Sequence, residues 1–180
     1  SITVRLIGSG ETIEITADTV EFLRFTDATV AAASIPVVIE GGTGADALTG
    51  TVRSDSILGW GGDDSVYGSG GHDSLDGGTG SDRLWGSDGD DSLAGGEGND
   101  TLDGGYGFNR LAGGPGEDEL RGGDEMDLLD GGPGDDTVYG LDGNDTLTGG
   151  GGRDVLSGGP GSDTYDYRAG DGLVTLRDAL

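Results

Sequence analysis

Along most of this chain an uncharged, mostly aliphatic residue returns every ninth position: Leu48, Ile57, Val66, Leu75, Leu84, Leu93, Leu102, Leu111, Leu120, Leu129, Val138, Leu147, Leu156 and Tyr165. Each sits between two residues that are mostly polar or small, as in Ala47-Leu48-Thr49 and Ser65-Val66-Tyr67. That alternation predicts a short strand whose middle side chain points inward. The stretches between follow the plan Gly-Gly-x-Gly-x-Asp, and glycine supplies the positive φ that tight turns need. Each nine-residue unit therefore predicts one turn and one strand. Two units make an 18-residue coil with a turn at each edge and a strand on each of two facing sheets. Fourteen units follow one another from Gly41 to Asp166 without insertion or deletion, enough for about seven coils. No unit can bury its apolar residue alone, so the fixed period predicts an all-β stack in which every coil covers the next.

The flanks read as end structures: 1–40 as an N-terminal capping segment and 167–180 as a C-terminal cap. Ile2–Leu6 and Thr12–Ile15 alternate and are split by Gly8-Ser9-Gly10, which predicts a β-hairpin. Leu173–Leu176 is expected to add a last strand. Caps are needed to hide the open core and block edge pairing.

Position six carries the chemistry. Coiling places Asp46, Asp64, Asp82, Asp100, Asp118, Asp136 and Asp154 along one edge, and Asp55, Asp73, Asp91, Asn109, Asp127, Asp145 and Asp163 along the other. Neighbouring strands lie about 4.8 Å apart, so each column repels itself unless something positive lies between its members. Calcium accepts roughly 6–8 oxygen ligands, mixes carboxylates with carbonyls and tolerates irregular geometry. The charge agrees. Residues 41–166 hold 27 acidic and 5 basic side chains, a net of −22 within a chain total of −26. An acidic, glycine-rich stretch without a period reads as disordered. That is the state expected of this block without metal, because its small apolar core does not offset the entropy of ordering it.

The units GGTGADALT (41–49), GGTGSDRLW (77–85), GGEGNDTLD (95–103) and GGPGDDTVY (131–139) resemble the calcium-binding nonapeptide of the RTX (repeats-in-toxin, haemolysin-type) proteins. The resemblance covers 126 of the 180 residues. It implies a right-handed parallel β-roll with calcium between same-edge turns of successive coils. Carried onto this sequence, the first site uses the carbonyls of Gly42 and Gly44 with Asp46, and those of Gly59 and Gly61 with Asp64. The pattern repeats upward through Gly77, Gly78 and Gly80, Gly95, Gly96 and Gly98, Gly113, Gly114 and Gly116, and Gly131, Gly132 and Gly134. Seven turns per edge leave six gaps, so the ceiling is about 12 calcium ions, whose charge roughly neutralises the block. Thr19–Thr29 resembles the segment that adjoins RTX blocks, and Asp163–Gly172 resembles the family's aromatic terminal cap.

Three units depart from the pattern. Gly50–Leu58 lacks the second glycine and has Arg53 at the fourth position, which predicts an empty site. Asn109 keeps an oxygen but loses the charge, and Glu125 replaces a turn glycine, so both predict weaker sites.

The remaining composition narrows the function classes. The chain has no Cys and no Lys, which removes disulfides, thiolate metal sites and the lysine-bearing phosphate loop. No apolar run is long enough to span a membrane, no N-terminal signal pattern is present, and the charge disfavours nucleic acid. His72, the only histidine, lies at a variable turn position, so catalysis is not expected from this chain; if present, it belongs to another domain of a parent protein. RTX proteins characteristically leave the cell by type I secretion, and an unfolded cytosolic chain suits that conduit. The expected function is therefore a secreted calcium-binding module that folds on binding and serves as a structural spacer, read here as a fragment of something longer. The alternative is a targeting module for a polysaccharide or cell surface, because Tyr67, Trp85 and Tyr139 recur at outward position nine. Cross-strand packing is the favoured reading of those rings.

Overall fold

Strands form where the period places them and then run on into the turn glycines. The computed structural model describes residues 2–8, 11–17, 37–168 and 170–177. Strands such as Ser65–Gly70, Ser74–Thr79 and Thr101–Tyr106 are six residues long, so each spans the apolar triplet and the first three positions of the next unit. The first-position glycine joins the strand because its inward side has no room for a side chain. The carboxylate of its own unit's position-six aspartate lies over it, as Asp100 lies over Gly95.

Two sheets result. One has ten strands and begins with β2 (Glu11–Ala17), β1 (Ile2–Gly8) and β3 (Val37–Glu40). It continues through every odd-numbered strand from β5 (Ser56–Leu58) to β17 (Thr164–Asp166). The other has eight strands, the even-numbered ones from β4 (Ala47–Thr49) to β18 (Leu173–Leu176). Pairing is parallel throughout the repeats with partners 18 residues apart, as in Leu84↔Leu102↔Leu120 on one sheet and Leu75↔Leu93↔Leu111 on the other. This is a parallel β-solenoid.

The core is a double file of apolar side chains between the sheets, from Ile39 to Leu156, each 7% exposed or less. Position eight thus faces inward in every repeat up to Leu156, and Tyr165 and Val174 pack partly buried against the last coil. The stack reaches about eight coils rather than seven. Val38-Ile39-Glu40 shares the alternation of the repeats and pairs in parallel with β5, and β18 pairs in parallel with the strand Arg153–Ser157. The register of that last pair is 20 residues, as in Leu156↔Leu176, where the period ends.

The hairpin forms between β1 and β2, and β1 also pairs antiparallel with β3, at the start of the ten-stranded sheet. Thr19–Thr29 lies outside the described residues. At the other end the Tyr165 hydroxyl accepts the Gly158 N–H at 2.9 Å, and the Tyr167 hydroxyl donates to the carbonyls of Asp171 and Gly172. Among the described residues there is no helix long and apolar enough to cross a membrane.

Candidate metal centre

The position-six side chains stitch successive coils together with one oxygen and leave the other bare. In twelve consecutive same-edge pairs, the Oδ1 of one residue accepts the backbone N–H of the position-six residue one coil earlier, at 2.7 to 3.1 Å. The carboxylates are drawn inside by this bond: Asp64, Asp82 and Asp136 are each 1% exposed. Their Oδ2 atoms have no partner, and the same holds for Asp73, Asp91, Asp100, Asp118, Asp127, Asp145 and Asp154; at Asp55 the bare atom is Oδ1. A buried carboxylate oxygen without a donor is costly, and a file of them needs an explanation.

The geometry around each bare oxygen supplies one. In nine gaps, five on the edge of Asp64 and four on the edge of Asp73, Oδ2 faces the first-position carbonyl of the next coil. A methyl group placed on Gly95 would strike both Asp100 Oδ2 and the Gly113 carbonyl oxygen, and a methyl on Gly122 would strike both Asp127 Oδ2 and the Gly140 carbonyl oxygen. The fourth-position carbonyls of Gly80 and Gly98 accept no backbone hydrogen bond between coils among the described residues, whereas that of Gly152, at the end of the stack, accepts the Leu173 N–H at 2.7 Å. Bare carboxylate oxygens that face carbonyl oxygens across the gap between coils fit a cation. No group of three or more acidic or histidine side chains converges among the described residues, so backbone carbonyls would supply much of the ligand set. That mixture suits calcium better than a metal that prefers nitrogen or sulfur.

Electrostatics point the same way. Burial pushes the carboxyls of Asp100, Asp127 and Asp136 up to about 7, and those of Asp64, Asp73 and Asp118 up to about 6. Asp82, Asp91, Asp145 and Asp154 are raised as well, again chiefly by burial. The backbone N–H on Oδ1 opposes the rise throughout, while neighbouring carboxylates such as Asp118 and Asp82 beside Asp100 add to it. The columns want positive charge, whether protons or metal.

The model of the RTX calcium-binding nonapeptide repeat, which holds four copies, matches residues 40–75, 67–102, 76–111, 103–138, 130–165 and 139–174. The chain belongs to this RTX repeat family. No curated protein matches it.

The RTX turns take their shape from positive φ at positions two and four, as at Gly78 (φ 100°) and Gly80 (φ 132°). Sequence reasoning ties that conformation to glycine, yet Trp60, Ser69, Ser87 and Leu141 adopt it at position two (φ 72° to 83°), and Glu125 adopts it at position four (φ 69°). The stacking of the coils imposes it, since the second-position N–H then pairs upward, as Gly96 N does with the Gly113 carbonyl at 2.9 Å. The first RTX turn on each edge differs. Gly42, Gly44, Thr51 and Arg53 lack positive φ. There the second-position N–H turns inward, so Asp46 Oδ2 accepts the Gly42 N–H at 2.6 Å and Asp55 Oδ2 accepts the N–H and hydroxyl of Thr51. The Gly42 carbonyl accepts the Gly61 N–H at 3.1 Å. The carbonyls of Gly86, Gly104, Gly140 and Gly158 stand on the second edge as those of Gly77, Gly95, Gly113 and Gly131 do on the first.

Outside the columns, position five builds a second ladder: Asp90 N–H donates to His72 Nδ1 and Asp90 Oδ1 accepts the Phe108 N–H, both at 2.9 Å. On the outer face of the eight-stranded sheet, the Tyr67 and Trp85 rings stack on each other, 4.3 Å between centroids and 5° from parallel. The Arg121 guanidinium lies over Tyr139 at 5.9 Å and pairs with Glu119. The rings brace neighbouring strands.

Proposed function

We propose that this chain is a calcium-gated folding module of a secreted protein: extended where calcium is scarce, and a rigid roll where calcium is abundant. The carrying observation is the file of buried Oδ2 atoms that have no donor and face glycine carbonyls of the next coil. Calcium, when bound, supplies the positive charge that these oxygens lack. The chain's own residues do the rest. Asp Oδ1 fixes the spacing of successive coils, the first-position carbonyl of the next coil faces Oδ2, and Leu84, Leu102 and Leu120 seal the interior behind it. Binding free energy of this kind becomes folding free energy, because the unfolded chain offers no preformed cradle.

Export in the unfolded state and a spacer role outside the cell follow from the same switch. A chain that stays extended at cytosolic calcium passes a narrow channel and stiffens after it emerges. The targeting alternative finds less support, since Tyr67 and Trp85 spend ring faces on each other instead of offering them to a sugar. Small-angle scattering tests the proposal. In chelator a chain of this length is expected to have a radius of gyration of about 45 Å, falling to less than half of that in millimolar calcium. A compact chain in chelator would refute the gating.

A further inference from the structure

One rung of the second edge is built differently, and two departures from the repeat meet in it. Asn109 and Glu125 are far apart in the sequence, yet the 18-residue coil brings both to the gap between the turn Gly104–Asn109 and the turn Gly122–Asp127. Asn109 is 3% exposed, and its Oδ1 accepts the Asp91 N–H at 3.0 Å, as an aspartate Oδ1 does elsewhere in the column. That bond fixes the orientation of the amide, because the nitrogen has to lie on the other side. Nδ2 therefore occupies the place of the bare Oδ2. It donates to the Gly107 carbonyl at 3.1 Å and approaches the Gly122 carbonyl at 3.5 Å. That of Gly122 is the first-position carbonyl of the next coil, whose counterpart faces a bare Oδ2 in nine other gaps, and that of Gly107 is the fourth-position carbonyl of Asn109's own turn. Across the rim, Glu125 Oε2 accepts the Gly107 N–H at 2.8 Å, in place of the bond that fourth-position N–H groups such as Gly89 and Gly98 make to a third-position carbonyl of the next coil.

We infer that the gap between Asn109 and Asp127 takes no calcium, because the Asn109 amide already fills the cradle with two N–H donors where nine other gaps present a bare oxygen. The inference rests on the calcium reading proposed above. A cation would meet the positive end of the amide dipole, and it would have to displace hydrogen bonds that no other rung contains. The second column is thus split into a group of sites below Asn109 and a group above it, while the column from Asp64 to Asp154 runs unbroken. In the folded roll this rung is a joint held by hydrogen bonds where its neighbours are held by metal.

Counting bound calcium by native mass spectrometry on the full chain tests this, with Asn109→Asp, Glu125→Gly and the double variant beside the wild type. Asn109→Asp and the double variant are expected to bind one calcium more than the wild type, and Glu125→Gly the same number. An unchanged count for Asn109→Asp overturns the inference alone, whereas a wild type that binds no calcium overturns the calcium reading with it. A measurement on the wild type keeps the test independent of how the variants fold. In the calcium-loaded protein the Asn109 side-chain NH2 protons are expected to exchange with solvent as slowly as strand amides. Exchange at the rate of an exposed asparagine would overturn the inference.

Discussion

Asp100 Oδ1 accepts the backbone N–H of Asp82, one coil earlier, at 2.8 Å. The bond spends one oxygen of the carboxylate on the fold and leaves the other facing the Gly113 carbonyl. Structure and metal chemistry therefore share a side chain, and substitutions can separate them. Asp100→Asn keeps an acceptor for Asp82 and places an amide in the cradle, so it is expected to remove one calcium from the mass-spectrometric count while leaving the loaded roll folded. Asp100→Ala also strands the buried Asp82 N–H, at a cost of about 1–3 kcal/mol, and is expected to lose the calcium and raise the calcium midpoint further. Equal midpoints for the two variants would separate Oδ1 from stability.

Protons and calcium compete for the same oxygens. The carboxyls of Asp100, Asp127 and Asp136 rise from an ordinary value of 3.8 to about 7 in the folded chain. A folded-state value above the unfolded one means that the fold binds protons more tightly. The metal-free roll is therefore most stable below about pH 4 and loses that stability as pH rises through 6 to 7. Metal-stripped protein followed by circular dichroism is expected to gain strand signal on acidification from pH 7.5 to 4. With saturating calcium the signal should stay flat above about pH 6. A metal-free chain that loses structure on acidification would contradict the assignment.

Much of this was legible in the period. Leu48 through Leu156 point inward as the nine-residue spacing requires, and the two position-six columns stand on opposite edges. Orientation within a side chain was not legible, because residue type does not say which oxygen of Asp100 meets a backbone N–H. Nor was the backbone of Leu141 or Ser87, where stacking overrides the preference of a side chain for negative φ. The meeting of Asn109 and Glu125 in one gap is invisible unit by unit, since the two residues belong to different units and only the coil brings them together.

Leu102, 0% exposed in the middle of the stack, measures how the core shares the work with metal. Leu102→Ala is expected to cost about 2–5 kcal/mol. Spread over nine coupled ions, this raises the calcium midpoint by no more than about threefold. A chain that no longer folds at any calcium concentration would show that the core outweighs the metal.

Trp85 tests the outer face. Trp85→Ala removes the stack on Tyr67 and is expected to cost about 0.5–1.5 kcal/mol, with the calcium count unchanged. Loss of binding to a glycan by this variant, with folding retained, would favour the targeting alternative.

Calcium is expected to fold the roll. Metal-stripped protein at neutral pH, titrated with calcium and followed by far-ultraviolet circular dichroism, tests this most directly, with magnesium as the control and bound ions counted in parallel. The expected result is a cooperative rise of strand signal as about nine calcium ions bind, one for each gap with a bare Oδ2 facing a glycine carbonyl, and no rise with magnesium. A strand spectrum already complete in the metal-stripped chain, and indifferent to calcium, would contradict the account.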